Sequence, residues 1–258
     1  KYALLFDRAQ GPQGDGPVVG IPRCLNMYED YPFWKALFDG CGIRTVLSDP
    51  STFPRYEAGV HSVMSDNICF PAKLVHSHIY DLVEKGVDRI FMPYVVFEKS
   101  DDKKAVNSYN CPVVSGYSDV IRSAVNPAVP LDSPAMTFKD DKSLSRCCQD
   151  YLSGLGVPRR VASGAVKTAI EARNKYENDI RQANRRIYGK DQNGGRITIL
   201  LAGRPYHTDP LVQHKISDMI AALGADVISE DIVRGADSIA LDGMHYVSQW
   251  AYVNRILK

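Results

Sequence analysis

No apolar run in the 258-residue chain approaches the roughly 18 residues of a membrane span, and no signal-peptide pattern opens it, so a cytoplasmic protein is expected. Charge of one sign is equally scarce. A formal net charge of +1 removes the electrostatic reason to expect nucleic acid or an anionic membrane as partner. None of the six cysteines, at 24, 41, 69, 111, 147 and 148, stands in a C-x-x-C pair, which argues against a zinc ribbon or a thioredoxin-type site. The loops "GIPRC" and "AGRPYH" have neither G-x-G-x-x-G nor G-x-x-x-x-G-K-[ST] spacing, so they support neither a dinucleotide site nor a P-loop.

What is present suits a folded α/β chain. Hydrophobic residues make up 45% and charged residues 24%, and the length is enough for one large domain or two ordinary ones. The chain begins at a lysine and stops within "YVNRILK", which reads as a helix, so a fragment of a longer protein is expected. In a chain of this size and expected compartment, free thiols are a better reading than disulfides.

The hydrophobic pattern alternates strands and helices. After a flexible lead-in over residues 1–16, "PVVGIP" reads as a strand, "YEDYPFWKALFDGCG" as a helix and "IRTVLSD" as a strand. "VHSVM" suggests a third short strand, and "PAKLVHSHIYDLVEKG" a helix with Pro71 in its first turn and Gly86 at its end. "VDRIFMP" reads as a strand, "VVFEKSDDKKAVNSYN" as a polar connection, "CPVVSG" as a strand and "YSDVIRSAV" as a helix. This first α/β unit spans 17–125, and its alternation predicts a parallel sheet covered on both faces. Residues 126–195 hold a proline-rich crossing segment and one long charged helix from Pro158 to about Gly189.

From 196 to 258 the opening theme returns as the start of a second unit. Gly20-Ile-Pro22 matches Gly203-Arg-Pro205, Gly42 matches Gly224 and Asp49 matches Asp231. The expectation is therefore two doubly wound parallel-sheet units, related as an internal repeat and joined by the long helix. Chance likeness between two βαβ units is the alternative.

Ligands in such sheets collect beyond the carboxyl ends of the strands, and the loops there hold the chemistry. Cys69, at the start of a predicted helix, is a candidate metal ligand because the positive end of the helix dipole favours a thiolate. Cys111 opens a similar Cys-Pro junction before a predicted strand, and a buried packing thiol is the alternative for both. Arg23, Arg204 and His207 are candidates for an anionic ligand, with a loop-ordering hydrogen bond as the other reading of His207. His76 and His78 lie two apart on a helix, so one is expected to pack and the other to meet solvent. Cys24, Cys41, Cys147 and Cys148 read as structural.

Together, "GIPRCLNMYEDYPFW", "LSDPST", "SDNICFPAKLVHSHIYDL", "NSYNCPVVSGYSDVI" and "LAGRPYHTDP" resemble the 2-hydroxyacyl-CoA dehydratase activase-related family from Val18 onward. The resemblance implies a cytoplasmic protein of anaerobic bacteria and kinship with dehydratase subunits, whose flavodoxin-like domains hold an iron–sulfur cluster through cysteines at strand ends. It implies Cys69 and Cys111 as cluster ligands, an incomplete set, since such a cluster usually takes about four thiolates. It also implies partnership with an ATPase activase domain, in the same chain or another, and a CoA thioester as the substrate class. An ATP-driven electron-transfer module is thus the leading expectation, and a docking or anion-binding α/β domain with packing cysteines the alternative.

Overall fold

The computed structural model describes residues 1–7, 16–99, 107–191 and 195–233. In chain order the first elements are α1 (Tyr2–Phe6), β1 (Val19–Ile21), α2 (Met27–Gly40), β2 (Thr45–Leu47), α3 (Phe53–Gly59), α4 (Phe70–Glu84), β3 (Arg89–Phe91) and β4 (Tyr94–Phe97). There follow α5 (Pro112–Ala124), β5 (Leu131–Asp132), β6 (Ala135–Thr137), α6 (Asp141–Gly154), α7 (Arg159–Asp191), β7 (Thr198–Leu201), α8 (Ile216–Ala222) and β8 (Asp226–Ser229). Among the described residues no helix is long and apolar enough to cross a membrane. Of the lead-in expected over 1–16, residues 8–15 lie outside the described residues, as does the "YVNRILK" helix, but Leu5 and Phe6 of α1 are buried in the core, so its first part is no free lead-in.

The molecule is an α/β protein with parallel sheets. Strand order in the main sheet is β2-β1-β3-β5, all parallel, with Val19 opposite Thr45 on one side and Arg89 on the other. Chain direction across the sheet therefore reverses at β1. Right-handed crossovers then send α2 to one face and α4 and α5 to the other. The packing agrees: α2 and α6 lie against α7, while α3 and α5 lie against α4. A core of interlocked rings fills the space under α2, where Trp34 meets Phe33, Phe91 and Phe138 edge to face.

Prolines shape the edges. Pro93 and Pro134 lack the N–H a ladder needs, and each interrupts a strand, so β3 and β4, like β5 and β6, are the two halves of one kinked run. Main-chain bonds from Met92 N–H to Asp132 O (2.8 Å) and Tyr94 N–H to Pro134 O (3.0 Å) carry the pairing across the breaks. The stretch 126–157, expected to be a crossing segment, thus holds β5, β6 and α6 as well.

Two other local expectations are corrected. "VHSVM" is no strand: Val60–Ser62 form a 3-10 turn continuing α3, whose start Thr52 caps by accepting the Arg55 N–H. "CPVVSG" is no strand either. Pro112 begins α5, and Val114, Tyr117, Ser118 and Ile121 bury one helical stripe. Pro112 sits where a helix has an orphan N–H to spare, so the proline that suggested a break is a start signal.

α7 is one helix of 33 residues. Its buried seam runs through Ala162, Ala165, Val166, Ala169, Arg173, Tyr176, Ile180 and Asn184. The small residues let α2 approach closely: a methyl group at Gly40 would stand 2.9 Å from Ala165 Cβ. Further along, Asn184 holds β8 by accepting the Ser229 N–H (2.8 Å) and donating to Ser229 Oγ (3.1 Å).

β7 and β8 pair in parallel, Thr198 opposite Asp226. Gly42 (φ 71°) and Gly224 (φ 87°) both turn a helix end into the next strand in the left-handed region, as their alignment suggests. The copies also differ. α2 has 14 residues and α8 has 7, and Gly20 lies inside β1 whereas Gly203 follows β7. A second complete unit related to the first is not established by one βαβ.

Candidate functional site

In a parallel α/β fold, helices enter from the carboxyl edge of the sheet, so the N-termini of α4 and α5 lie there. Cys69 is the residue capping α4 and Cys111 the one capping α5, both with extended backbone and neither with a capping hydrogen bond. Cysteine is a poor choice at a position where Ser, Thr, Asp or Asn satisfies an orphan N–H. Thr52 and Asp140 make that bond in this chain. Cys69 is exposed and Cys111 half-buried.

The second unit reaches over this edge. Pro205–Thr208 form one 3-10 turn after β7. The Arg204 guanidinium lies within electrostatic reach of the Tyr206 oxygen and the Cys111 sulfur, both of which raise its pKa against the effect of burial. Burial raises the Tyr206 pKa, Arg204 opposes this, and the charges of both Cys111 and Cys69 add to it, so both sulfurs stand within electrostatic reach of that phenol. Tyr117 completes the group. Burial and then the Cys69 charge push its pKa up to about 12.

Behind Tyr117 stands His76, wholly buried, with Nδ1 2.7 Å from Ser62 Oγ and Nε2 3.0 Å from the Tyr117 hydroxyl. Burial lowers the His76 pKa to about 4, so the ring is neutral. Ser62 gives its proton to the Gly59 carbonyl. It must then accept from Nδ1–H, which leaves Nε2 to accept from Tyr117. His78 is buried too, between Ser48 Oγ (2.9 Å) and Ser51 Oγ (3.0 Å), and burial likewise holds its pKa near 4. The expectation that one of the pair meets solvent is therefore overturned, because hydroxyls from the 3-10 turn and from the loop after β2 satisfy both rings.

The crevice between β1 and β3, where the sheet reverses, is the usual ligand site in such folds. Here it is plugged. Pro22, Cys24, Leu25, Asn26, Met92 and Pro93 close it to about 20 Å³, water-sized. Leu25 sits there at φ 47°, and burial drives the Cys24 thiol pKa well above its ordinary value.

Arg23 lies beside that plug and is engaged by its own chain. Its guanidinium donates to Tyr2 Oη (2.6 Å) and the Ser48 carbonyl (3.0 Å) and stacks 4.5 Å from the Phe6 ring. Arg204 and His207 instead line a cavity of about 600 Å³ between α7 and the β7–β8 pair. His207 Nδ1 accepts the Arg204 N–H at 3.2 Å, and burial with the charges of Arg204 and Lys1 lowers its pKa. A side chain at Gly203 would collide with that ring nitrogen, so the turn requires glycine. The structure therefore sets Cys69, Cys111 and Arg204 around Tyr206, places His207 next to Arg204, and holds Arg23 on Tyr2 and Ser48 at the edge of a small cavity that it shares with Tyr206 and Asp209.

Several residues at or under the site were not anticipated. Tyr206, Tyr117 and Asp209 belong to it, and a buried group of Asp30, Glu98, Asn26, Asn110 and Arg173 lies beneath. Arg173 Nη2 stands 3.2 Å from Glu98 and 3.7 Å from Asp30. Arg173 had a readable signal: it is a cation in register with the apolar positions from Ala162 to Ile180 of α7. Among the described residues no group of three His, Cys, Asp or Glu side chains is placed to hold a metal ion. Two thiols and no third donor fit only part of an iron–sulfur ligand set.

An open parallel sheet with its reactive side chains on carboxyl-edge loops places the chain among α/β proteins with parallel sheets. A family model described as CoA enzyme activase uncharacterised domain matches residues 18–233, and the chain belongs to that family. No curated protein and no solved structure matches it.

Proposed function

We propose that this chain is the iron–sulfur-binding module of an ATP-driven electron-transfer system related to 2-hydroxyacyl-CoA dehydratases and their activases. The observation that carries the reading is the pair of cysteines, Cys69 and Cys111, each at a helix-capping position without a capping bond and with the Arg204 guanidinium near one of them. The reading takes the two α/β regions as flavodoxin-like units joined by α7. It takes an ATPase activase domain, in this chain or another, as the partner in electron transfer.

A bound cluster would supply one-electron chemistry at low potential. The protein's part is to hold and tune it. Cys69 and Cys111 would supply two thiolates, each favoured by the positive end of a helix dipole. Arg204 lies near the Cys111 sulfur, and a hydrogen bond from it to that sulfur would be one of the levers that set a cluster's potential. Tyr206 and Tyr117 flank the sulfurs and limit the approach of water. The remaining ligands would come from residues outside the described ones or from a partner.

Iron and acid-labile sulfide measured in anaerobically purified full-length protein test this directly. Iron should be present, and lost from Cys69→Ala and from Cys111→Ala. Iron that is absent, or unchanged in both variants, would sink the proposal. The second reading, an anion-binding α/β domain, draws on the cavity of about 600 Å³ beside Arg204 and His207. In that case a double Cys69→Ala, Cys111→Ala variant would keep its ligand, and Arg204→Ala would lose it.

A further inference from the structure

We propose that Asp209 is a positioning residue: its buried bonds to Tyr28 and Ser51 key the second unit into the first and so hold Arg204 and Tyr206 over the two cysteines. The proposal rests on the reading of Cys69 and Cys111 as a functional pair, but its test needs no iron.

Asp209 comes from the loop after β7 yet is buried in the first unit, only 2% exposed. Its Oδ2 accepts from the Tyr28 hydroxyl of α2 and from the Ser51 hydroxyl after β2. Its Oδ1 accepts the N–H groups of Leu211 (2.8 Å) and Val212 (3.0 Å). Four donors thus meet one buried carboxylate, which is what removing a carboxylate from water requires.

The protons of the whole chain can be assigned. Arg23 N–H donates to Ser48 Oγ at 2.7 Å. Ser51 spends its proton on Asp209, so it accepts from His78 Nε2–H, and His78 Nδ1 is left to accept from Ser48. Every group in the run from Arg23 N–H to Asp209 has one role, and reversing any one would set two donors or two acceptors face to face. Such a fully satisfied network specifies a single docking arrangement.

The loop then transmits that arrangement. Asp209 N–H bonds Tyr206 O (3.0 Å), His207 N–H bonds Arg204 O (2.9 Å), and Arg204 N–H bonds His207 Nδ1 (3.2 Å). Between Arg204 and Asp209 the turn is internally braced, so it moves as one piece with its anchor. Tyr206 and Asp209 also line a common cavity of only about 10 Å³, too tight to absorb a shift of either.

The test is the rate of iodoacetamide alkylation of Cys111 at neutral pH, read by peptide mass spectrometry on iron-free full-length protein. Wild type is compared with Asp209→Asn, Arg204→Ala, the double variant and Tyr28→Phe. An amide at 209 sets an NH₂ group against the Tyr28 and Ser51 hydroxyls. Cys111, half-buried in the folded chain, should then react about fivefold faster, as it should in Arg204→Ala, because the turn that shields it is displaced. In the double variant no further rise is expected, and Cys41 and Cys147 should react at wild-type rates. Tyr28→Phe should speed Cys111 in the same direction by less, and it decides the matter if Asp209→Asn does not fold. The proposal is overturned if the two substitutions multiply, if Cys111 keeps its wild-type rate in Asp209→Asn, or if all thiols change together. The iron assay above can fail while this cycle holds, and the reverse, so the two proposals fall separately.

Discussion

Asp209 and Asp30 are two buried carboxylates in one molecule, handled in opposite ways. Asp209 is met by two hydroxyls and two main-chain N–H groups. Asp30, with no exposure at all, shares one guanidinium, that of Arg173, with Glu98. Asn26 Nδ2 donates to Asp30 Oδ2 at 3.2 Å, while Asp30 Oδ1 has no hydrogen-bond partner. Burial, then the charge of Glu98, raise the Asp30 pKa well above its ordinary value. The lesson is one of supply: Asp209 has four donors of its own, whereas Asp30 must share one cation with a second acid, which pushes it towards the neutral form.

Breaking the comparison should cost most at Arg173. Arg173→Leu leaves Glu98 buried without its cation and also removes a guanidinium stacked 4.1 Å from the Phe138 ring. We expect a loss of about 3–5 kcal/mol in urea unfolding. A variant within 1 kcal/mol of wild type, on the order of ordinary surface changes, would mean that Glu98 finds other donors.

Acid should act next, through two buried histidines, His78 in the run to Asp209 and His76 behind Tyr117. His76 and His78 have folded pKa values of about 4, below the ordinary 6.5. Their contribution is thus complete above about pH 6.5 and lost as pH falls through about 4, on the order of 3 kcal/mol for each ring. Unfolding curves between those limits should show it, and His78→Gln should flatten part of the slope. A flat wild-type profile would contradict the buried neutral rings.

Smaller effects sharpen the contrast. Cys69→Ser and Cys111→Ser in the iron-free protein should each gain about 0.5–1 kcal/mol, because serine makes the capping bond that cysteine does not. A loss on both would show the thiols to be packing residues. Asp30→Asn mimics the protonated acid and should shift stability at neutral pH by less than about 1 kcal/mol. It should also abolish the decline expected as pH rises through the folded pKa, since a raised carboxylate pKa contributes stability only below it.

Local chemistry made much of the scaffold readable. β1, α2, β2, α4, β3 and α7 fall where periodicity and end signals put them, and Cys69 and Arg204 were singled out by loop position alone. Proline misled in two directions. At 93 and 134 it hid one continuous pairing, and at 112 it disguised a helix start as a strand entry. The burial of His76 and His78 had no local signature, since the hydroxyls that satisfy His78 come from about 30 residues away in sequence. Tyr206 and Asp209 matter only because a second unit docks on the first, a relation that no single stretch of sequence encodes.

α7 carries a mechanical consequence. Its 33 residues, about 50 Å at the ordinary rise, lie against α2 and α6 early on and against β8 near the far end. One rod is therefore bolted to both bodies it joins. Hinge bending between them would have to break the rod or strip one body from it. A roll of the second body about the rod's long axis is opposed in turn by Asp209, keyed into the first body well to the side of that axis, so rod and key together fix both the span and the angle between the bodies.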